Sequence, residues 1–473
     1  MEERKIPENV RYILARLKSA GFEAYVAGGA VRDSLSGKTP DDWDVCTSAH
    51  PREVAELFSE DRVIPTGIKH GTVTVVTGRR KTEEQGEEER QRENGKKENH
   101  EKEAAEKSAV EVTTFRRESG YSDRRHPDRV TFVSEIEEDL ARRDFTVNAM
   151  AYSPDRGLCD PFGGCKDLEN NLLRCVGEAG RRFSEDPLRI LRALRFRAVC
   201  GFRLEKETEG AVRGLYENLK EVSWERITAE LEKLMCGKYA AAVLDEYRDV
   251  FACLIPELSA MFGFEQYSPY HNRDVWHHTL AAVEDIPPVF ALRMTMLLHD
   301  IAKPVVFVLD DNGRGRFVGH PQRGAEMAET ILRRMRFPNH LIQRIVLLVR
   351  FHDVKLKPRR PEVRRMLALF GEKGFEDLLA VKHADAAGKY EKYLGEAEEK
   401  NEALRKCAKD ILRDGDCLSV AELAVNGDDL IRAGVPAGPR IGSILKDLLE
   451  DVMDDTLKNE KTALLGAVKA RMR

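Results

Sequence analysis

The stretch Tyr25-Val-Ala-Gly-Gly-Ala-Val-Arg-Asp33, followed by Asp42-Trp-Asp44, decides the fold of the amino-terminal region. Tyr25 to Ala27 form a short apolar strand pattern, and the Gly-Gly turn leads into a helical pattern. Trp43 to Cys46 predict a second strand, and the alternating residues Thr72 to Val76 predict another. These elements predict a mixed sheet with helices.

A highly charged run from Arg79 to Ser108 interrupts this pattern. It consists mostly of Glu, Lys and Arg, and Thr82 is its only β-branched or aromatic residue. Such a composition cannot bury enough apolar surface to fold by itself. The strand pattern resumes at Val110 to Phe115. We therefore predict a solvated insertion at 79–108 that extends a hairpin between two strands of one sheet.

Asp42 and Asp44 are two residues apart, and on a strand such side chains point to the same face. Their oxygens suit Mg²⁺, which completes its coordination with water and substrate phosphates. Glu111, between Val110 and Val112, is the candidate for a third carboxylate on a neighbouring strand. An isolated Asp-x-Asp is commonly a solvated turn. The upstream Gly28-Gly29 favours the functional interpretation, because glycines allow phosphates to approach the backbone closely.

Together these residues resemble the signature of the nucleotidyltransferase superfamily that includes DNA polymerase β. They are more similar still to the bacterial CCA-adding tRNA nucleotidyltransferase and poly(A) polymerase family. The further matching blocks are Thr66–Thr72, Val112–Arg116, Ala141–Ala151, Asp160–Gly164, Glu185–Phe196 and Glu225–Glu230. The resemblance implies an α+β protein: a polymerase-β-like nucleotidyltransferase head with a mixed sheet, followed by an all-helical neck, body and tail.

The resemblance also implies the site residues. Asp42 and Asp44 would hold Mg²⁺, and Glu111 would position or activate the 3′-hydroxyl of RNA. The residues at the family's nucleotide-binding positions are Gly28, Gly29, Arg32, Arg143, Asp144, Asp186, Arg189, Arg192 and Arg195. Guanidinium groups and glycine backbone suit the binding of phosphates.

Asp186, Arg189, Arg192 and Arg195 recur every three residues on a predicted helix, where they would form one polar edge. In related enzymes the Asp-x-x-Arg pair reads the Watson–Crick edge of the incoming base. A carboxylate accepts from the exocyclic amine that C and A share, and Arg donates to ring acceptors. Solvated or ion-paired arginines on a helix surface are the alternative.

The implied reaction is template-independent addition of C, C and A to the 3′ end of tRNA from CTP and ATP, with release of pyrophosphate. The segment Gly120–Pro127 resembles a flexible loop of enzymes that add the terminal A, which favours complete C-C-A addition. A polar loop without this role is the alternative. Poly(A) polymerase, of the same family, is the rival function. The charged insertion could also serve as an arm that contacts tRNA.

A second set of residues resembles an HD domain. His278, the adjacent pair His299-Asp300 and Asp385 occur in the expected order and imply a divalent metal site for phosphoester hydrolysis. His320 and His352 are additional candidates for a second metal. A domain of this kind can also persist as a helical scaffold. A phosphohydrolase acting on RNA ends, with 2′,3′-cyclic or terminal phosphates as substrates, is therefore an open alternative.

The length of 473 residues exceeds one hydrophobic core and predicts about three cooperating units. We place the nucleotidyltransferase head at 1–152 and a helical neck and body for nucleotide selection and RNA binding at 153–260. The HD domain follows at 261–390 and a helical tail at 391–473. Basic clusters at Lys355–Arg360 and Arg364–Arg365 suit either an RNA backbone or a solvated helical surface.

The composition, with 42% hydrophobic and 34% charged residues, is that of a water-facing globular protein. A net charge of −5 excludes a uniformly positive surface but allows local basic areas. We find neither a signal segment nor a membrane span, so we expect a cytoplasmic protein. The nine cysteines form no Cys-x-x-Cys pair and are predicted to be reduced thiols. The sequence leaves the oligomeric state open.

Overall fold

The computed structural model describes residues 6–68, 71–77, 109–121, 124–125, 127–268, 273–389 and 392–472. The chain forms two compact units, Met1–Glu230 and Leu231–Arg473. The predicted charged insertion at 79–108 lies outside the described residues. The strands on either side of it are antiparallel partners, with Val76 opposite Ala109, as the hairpin prediction requires.

A seven-stranded mixed sheet organises the amino-terminal unit. In spatial order its strands are β3 (Arg62–Gly67), β4 (Thr72–Val76), β5 (Ala109–Thr114), β2 (Asp44–Thr47), β1 (Ala24–Ala27), β8 (Ala151–Ser153) and β9 (Gly157–Cys159). Strands β2 and β5 are parallel, whereas the other neighbours are antiparallel. The smaller pairs of this unit are β6 (Arg116–Ser119) with β7 (Arg129–Phe132), and β10 (Leu172–Leu173) with β11 (Arg203–Leu204).

Apolar residues from the sheet and the first helix form the core of this unit. Val26, Val45, Val75 and Val112 are buried on the strands, because period-two alternation turns every second side chain to the same face. Leu17 and its helical neighbours pack into the same cluster. The mixed sheet predicted from the sequence is therefore confirmed.

The helices of this unit are short, apart from the first and those near its end. They are α1 (Glu8–Ser19), α2 (Gly29–Leu35), α3 (Pro51–Leu57), α4 (Ile136–Ala141), α5 (Gly164–Glu169), α6 (Ala179–Glu185), α7 (Leu188–Cys200), α8 (Lys206–Leu215) and α9 (Trp224–Met235). The boundary between the two units falls within α9. Helix α7 ends at Gly201, whose φ of 76° lies in the left-handed region that glycine adopts readily.

The second unit is almost entirely helical. Its helices are α10 (Ala240–Glu246), α11 (Arg248–Leu254), α12 (Val275–Asp285), α13 (Phe290–Leu298), α14 (Lys303–Val306), α15 (His320–Arg334), α16 (Asn339–Phe351), α17 (Arg360–Ala387), α18 (Lys392–Asp414), α19 (Gly427–Arg432), α20 (Arg440–Met453) and α21 (Lys461–Met472). Strands β12 (Val308–Leu309) and β13 (Gly315–Arg316) form a short β hairpin. The backbone of α17 departs from helical geometry at Gly371.

The helical periodicity of the sequence predicts the longer helices of this unit correctly. The apolar positions Ala325–Met335 and Leu341–Val349 correspond to α15 and α16, which pack against each other. The apolar segment Phe290–Leu298 forms α13, which is buried along nearly its whole length. Within the described ranges, no helix combines the length and apolarity that crossing a bilayer requires.

Candidate active site and metal centres

Three carboxylates meet at one edge of the sheet in the amino-terminal unit. Asp44 opens β2, and the parallel register that pairs Val45 with Val112 places Asp44 beside Glu111 of β5. Asp42 lies two residues before the strand rather than on it, so the prediction that both aspartates share a strand face is wrong for Asp42. All three side chains are exposed.

The electrostatics of these carboxylates favour a bound cation. Desolvation by the surrounding protein raises the pKa of Asp44. The guanidinium of Arg143 opposes this rise, whereas the negative charges of Glu111 and Asp42 add to it. Mutual repulsion among carboxylates is relieved when a cation binds between them. The oxygen-only donor set therefore fits Mg²⁺.

The glycines that begin α2 lie against two arginines. Gly28 has a φ of 75°, and a Cβ at this position would lie 2.5 Å from Nη1 of Arg143. The amide of Gly28 donates to the carbonyl of Met150, which directly precedes β8. Arg32 donates from Nη1 to the Asn148 side-chain oxygen at 2.5 Å. The structure thus brings together Gly28, Gly29, Arg32 and Arg143, as the sequence predicts.

Asp144 and Glu230 hold two of the predicted nucleotide-binding arginines. Arg192 donates from Nε and Nη2 to Asp144 Oδ2 at 2.8 and 2.6 Å, and from Nη1 to Glu230 Oε1 at 3.3 Å. Arg195 Nε lies 2.8 Å from Glu230 Oε2. Burial opposes ionisation of Asp144, but the charge of Arg192 and three hydrogen bonds lower its pKa to about 2.

Phe196 contacts two of the predicted nucleotide-binding arginines, Arg32 and Arg195. Its ring centroid is 5.0 Å from the guanidinium carbon of Arg32 and 4.6 Å from that of Arg195. Its ring also meets Phe145 edge to face. Cation–π contact with a desolvated ring fixes the direction of a guanidinium. Sequence reasoning did not assign roles to Phe196 and Glu230, although both lie in blocks that carry the family resemblance.

The structure corrects the expected arrangement of the Asp186 block. Arg189, Arg192 and Arg195 lie on α7, but Asp186 lies in the break between α6 and α7, with φ −145° and ψ 99°. Pro187 causes this break, because a residue that precedes proline is disfavoured in the helical region. Asp186 therefore does not belong to the helix that carries the arginines.

Asp186 and Arg189 line a cavity of about 390 Å³, together with Arg116, Glu118, Tyr121, Arg125, Pro127 and Arg142. Arg189 donates to the Arg182 carbonyl at 3.1 Å and to Glu185 at 3.2 Å, and its guanidinium lies 5.9 Å from the Tyr121 ring centroid. The Tyr121 hydroxyl donates to Glu118. The described part of the predicted loop Gly120–Pro127 thus borders the same cavity as the candidate base-reading pair.

The second unit contains a buried cluster of histidines and carboxylates. His278 Nε2 lies 3.4 Å from Asp300 Oδ2 and 3.1 Å from Asp385 Oδ1. His299 Nε2 lies 3.1 and 3.6 Å from the same two oxygens. The four residues predicted from the HD resemblance, which are far apart in sequence, are therefore adjacent in space.

His320 and His352 approach Asp300 from its other oxygen. Their Nε2 atoms lie 3.5 and 3.8 Å from Asp300 Oδ1. In each of His299, His320 and His352, Nδ1 lies within 2.8 Å of the carbonyl three residues earlier, which fixes the ring. A proton on Nδ1 leaves the Nε2 lone pair directed at the carboxylates, as a metal ligand requires.

Two lysines also contact these carboxylates. Lys303 Nζ lies 2.6 Å from Asp300 Oδ2, and Lys389 Nζ lies 2.6 Å from Asp385 Oδ2. Burial lowers the pKa of His352 to about 3. Burial also opposes protonation of His299, but Asp300 and Asp385 raise its pKa to about 9. Each of the two buried carboxylates therefore already contacts a lysine, and of these two histidines only His352 is favoured in the neutral form that a metal ligand requires.

Three arginines of the basic clusters, Arg360, Arg364 and Arg365, are engaged in ion pairs. Arg364 is buried and contacts Asp416, Asp455 and the Met453 carbonyl. Arg360 and Arg365 also pair with acidic residues of the later helices. These arginines connect α17 with the chain that follows it. The contacts therefore favour a structural role over direct binding of an RNA backbone.

Family models match three parts of the chain. The model described as "Poly A polymerase head domain" matches residues 24–107 and 80–174. The model described as "Probable RNA and SrmB- binding site of polymerase A" matches residues 201–262. A model of tRNA nucleotidyltransferase domain 2 matches residues 322–468.

Similar proteins match this chain over nearly its whole length. A CCA-adding enzyme of Leuconostoc mesenteroides is 32% identical over 453 residues, which cover 96% of this chain and 93% of the relative. A CCA-adding enzyme of Pediococcus pentosaceus is 31% identical and covers 98% and 97%. The crystal structure of a Bacillus stearothermophilus CCA-adding enzyme in complex with CTP superposes with a TM-score of 0.67 at 29% identity, covering 99% of this chain and 98% of that chain.

Proposed function

This chain belongs to the CCA-adding enzyme family of tRNA nucleotidyltransferases, and we propose from this premise how its own residues perform the reaction. The enzyme adds C, C and A to the 3′ end of tRNA, using CTP and ATP. The similarity to CCA-adding enzymes over nearly the whole chain does not favour the rival poly(A) polymerase. The charged insertion and the loop at Gly120–Pro127 remain candidates for contact with the substrates.

We assign the binding of Mg²⁺ to Asp42 and Asp44. When bound, the ion polarises the α-phosphate and neutralises the charge of the leaving pyrophosphate. The fit rests on the exposed oxygen donors and on the raised pKa of Asp44. Glu111 lies beside Asp44, where its carboxylate can accept the proton of the attacking 3′-hydroxyl or orient that group.

The proposed triphosphate-binding site consists of Gly28, Gly29, Arg32 and Arg143. The absence of a side chain at Gly28 leaves room for Arg143, whose guanidinium opposes the rise in the pKa of Asp44. A phosphate oxygen can replace such a carboxylate as the partner of a guanidinium. The guanidinium groups of Arg192 and Arg195, which Asp144 and Glu230 hold in place, complete the set of positively charged groups proposed for nucleotide binding.

Asp186 and Arg189 are the proposed reader of the base. Both line the 390 Å³ cavity, where the Asp186 carboxylate can accept from the exocyclic amine of C or A. Arg189 can donate to a ring acceptor of the same base. U and G would instead place a carbonyl oxygen next to the carboxylate. Because both groups are hydrogen-bond acceptors and repel each other, the pair excludes these nucleotides.

The observation that carries the proposed function is the approach of Asp42, Asp44 and Glu111 at one sheet edge. The test is incubation of the purified protein and Mg²⁺ with tRNA transcripts that end before C-C-A, followed by sequencing of the 3′ ends. CTP alone should give C-C, and CTP with ATP should give C-C-A. Long runs of A on any RNA would show a poly(A) polymerase, and addition of C alone would show that another enzyme completes the work.

A second function is favoured by the cluster around Asp300. We propose that His278, His299, Asp300 and Asp385 hold one divalent metal, with His320 and His352 available for another. The fit rests on the donor set and on Asp300, each of whose two buried oxygens lies within 4 Å of two histidine Nε2 atoms, beside the contact of Oδ2 with Lys303. A metal in this setting would activate water for hydrolysis of a phosphate ester, such as a 2′,3′-cyclic or terminal phosphate of RNA.

Metal analysis and a hydrolysis assay test this second function. The purified protein is loaded separately with Mg²⁺, Mn²⁺, Co²⁺, Ni²⁺ and Zn²⁺, and bound metal is counted before and after dialysis. We expect a retained transition metal and release of phosphate or opening of a cyclic phosphate on RNA ends. Metal retention without hydrolysis would indicate that the metal centre stabilises the helical fold but does not catalyse hydrolysis. Loss of every metal on dialysis would contradict the proposed centre.

We retain the assignment of the head to 1–152 and of nucleotide selection and RNA binding to 153–260. The HD domain is assigned to 261–390 and the tail to 391–473. The candidate site residues up to Arg143 fall within the first of these segments, and Asp186 to Arg195 fall within the second. The cluster around Asp300 falls entirely within the third. Limited proteolysis followed by mass spectrometry tests the boundaries at 260 and 390, with cleavage expected near both, whereas position 152 lies within the buried strand β8 and should be protected.

A further inference from the structure

Arg226 holds the carboxylate of Asp186 with a two-point contact. Nη1 of Arg226 donates to Asp186 Oδ1 at 3.2 Å, and Nη2 donates to Oδ2 at 2.7 Å. Arg226 lies on α9 and Asp186 lies in the break before α7, so the contact spans 40 residues of sequence. Both side chains are largely buried. Paired N–H donors of a guanidinium fix the plane of a carboxylate as well as its position.

The hydrogen bonds around Asp186 leave little of its acceptor capacity free. Oδ1 accepts from Arg226 and also from the Leu188 amide at 3.1 Å. Oδ2 accepts from Arg226. A carboxylate offers about four acceptor positions. Among the residues that the structure describes, these contacts therefore leave one position, on Oδ2, for a base in the cavity that Asp186 lines.

A single acceptor with a fixed direction discriminates among the four bases. It matches the exocyclic amine of C or A. U and G place a carbonyl oxygen at the equivalent position, and they carry a ring N–H beside it. A carboxylate that is free to rotate can accept from that ring N–H and so tolerate U or G. A carboxylate held at two points cannot make this adjustment.

We propose that Arg226 is a specificity-determining residue that positions Asp186 as a one-acceptor reader of the C and A amine. The inference rests on the proposed role of Asp186 in reading the base. Arg226 is absent from the described lining of the cavity, so it acts through Asp186 and not by touching the nucleotide. Loss of Arg226 should therefore change which nucleotide is accepted more than how fast the correct one is added.

The test compares correct and incorrect nucleotides on one preparation of each variant. Transcripts ending before C-C-A receive CTP or UTP, and transcripts ending in C-C receive ATP or GTP. The quantity measured is the ratio of the two kcat/KM values, which does not depend on the fraction of folded enzyme. The variants are Arg226→Gln, Arg226→Lys and Asp186→Ala. The control is Arg213→Gln, which removes an exposed ion pair with Glu209 in the same unit.

We expect Arg226→Gln to raise the UTP to CTP ratio about tenfold or more, since one two-point contact carries discrimination of this order. Arg226→Lys should give a smaller increase, because lysine keeps the charge but not the paired donors. Arg213→Gln should leave the ratio unchanged. An unchanged ratio in Arg226→Gln, with a changed ratio in Asp186→Ala, would overturn the inference alone. An unchanged ratio in Asp186→Ala would overturn the proposed base reader as well.

Discussion

The two acidic centres of this molecule use carboxylates in opposite surroundings. Asp42, Asp44 and Glu111 are exposed at a sheet edge and offer oxygen donors. Asp300 and Asp385 are buried among helices, together with histidines whose rings are fixed by backbone carbonyls. An open oxygen site leaves coordination positions for water and triphosphate, whereas a closed site of mixed donors favours transition metals.

Burial and donor type, more than the number of carboxylates, therefore separate the two kinds of chemistry. In the exposed centre the nearby cation is Arg143, at a place suited to an anionic nucleotide. In the buried centre the nearby cations are Lys303 and Lys389, which already contact the carboxylates. Each centre should therefore respond to its own metal and to its own substitutions.

The largest expected effect is that of Asp42→Ala on nucleotide addition. Removal of one of two Mg²⁺ ligands should lower the rate of C addition by roughly a thousandfold or more, since the ion stabilises the charge of the transferred phosphate. Rates are measured on transcripts that end before C-C-A. The control is Asp41→Ala, an exposed neighbour. Equal activity of the two variants would remove Asp42 from the site.

Asp300→Asn should separate the two centres. Asp300 contacts every histidine of the buried cluster, so its loss should reduce retained transition metal at least tenfold while C-C-A addition continues. Metal is counted by elemental analysis after dialysis, and addition is measured on the same sample. The control is Asp310→Asn, at an exposed ion pair. Loss of addition in a folded Asp300→Asn protein would show that the centres depend on each other.

The smallest effect that we expect is on the stability of the fold around the ion pair of Arg192 with Asp144. Arg192→Leu leaves Asp144 without its main cationic partner and should lower the free energy of unfolding by about 2 kcal/mol at pH 7. The lowered pKa of Asp144, about 2, means that its ion pair stabilises the fold above its unfolded pKa. This stabilisation is lost as pH falls through about 2.

Urea titration of wild type and Arg192→Leu between pH 7 and pH 2 measures this effect. The difference in unfolding free energy should stay constant down to roughly pH 4 and then shrink toward pH 2. Arg213→Leu serves as the exposed control and should change stability by less than about 1 kcal/mol. A difference that does not vary with pH would remove Asp144 as the cause.

The sequence predicts much of the fold because its strands alternate and its helices have apolar stripes. Val110 and Val112 of β5 illustrate this, since both are buried while Ala109 before them and Glu111 between them are exposed. It also predicts the clustering of His278 with Asp300, through a resemblance that brings distant residues into one set. The break before α7 could have been expected from Pro187, which disfavours helix at Asp186.

Other features could not be predicted because they depend on tertiary contacts. The contact of Arg226 with Asp186 spans 40 residues, and no local pattern specifies it. The role of Glu230 as a shared partner of Arg192 and Arg195 also appears only when α7 and α9 pack together. The ion pairs of Arg364 likewise depend on tertiary contacts, and charge patterning alone cannot distinguish an ion-paired arginine from one that binds RNA.

We propose that the carboxylate site at Asp42, Asp44 and Glu111 performs all three additions. This proposal is tested most directly by single-turnover kinetics of Asp44→Asn with three transcripts, ending before C-C-A, after the first C, and after C-C. C, C and A addition should all fall by a similar factor of roughly a thousand or more, while retained metal in the buried centre is unchanged. Survival of A addition at the wild-type rate would contradict the single site.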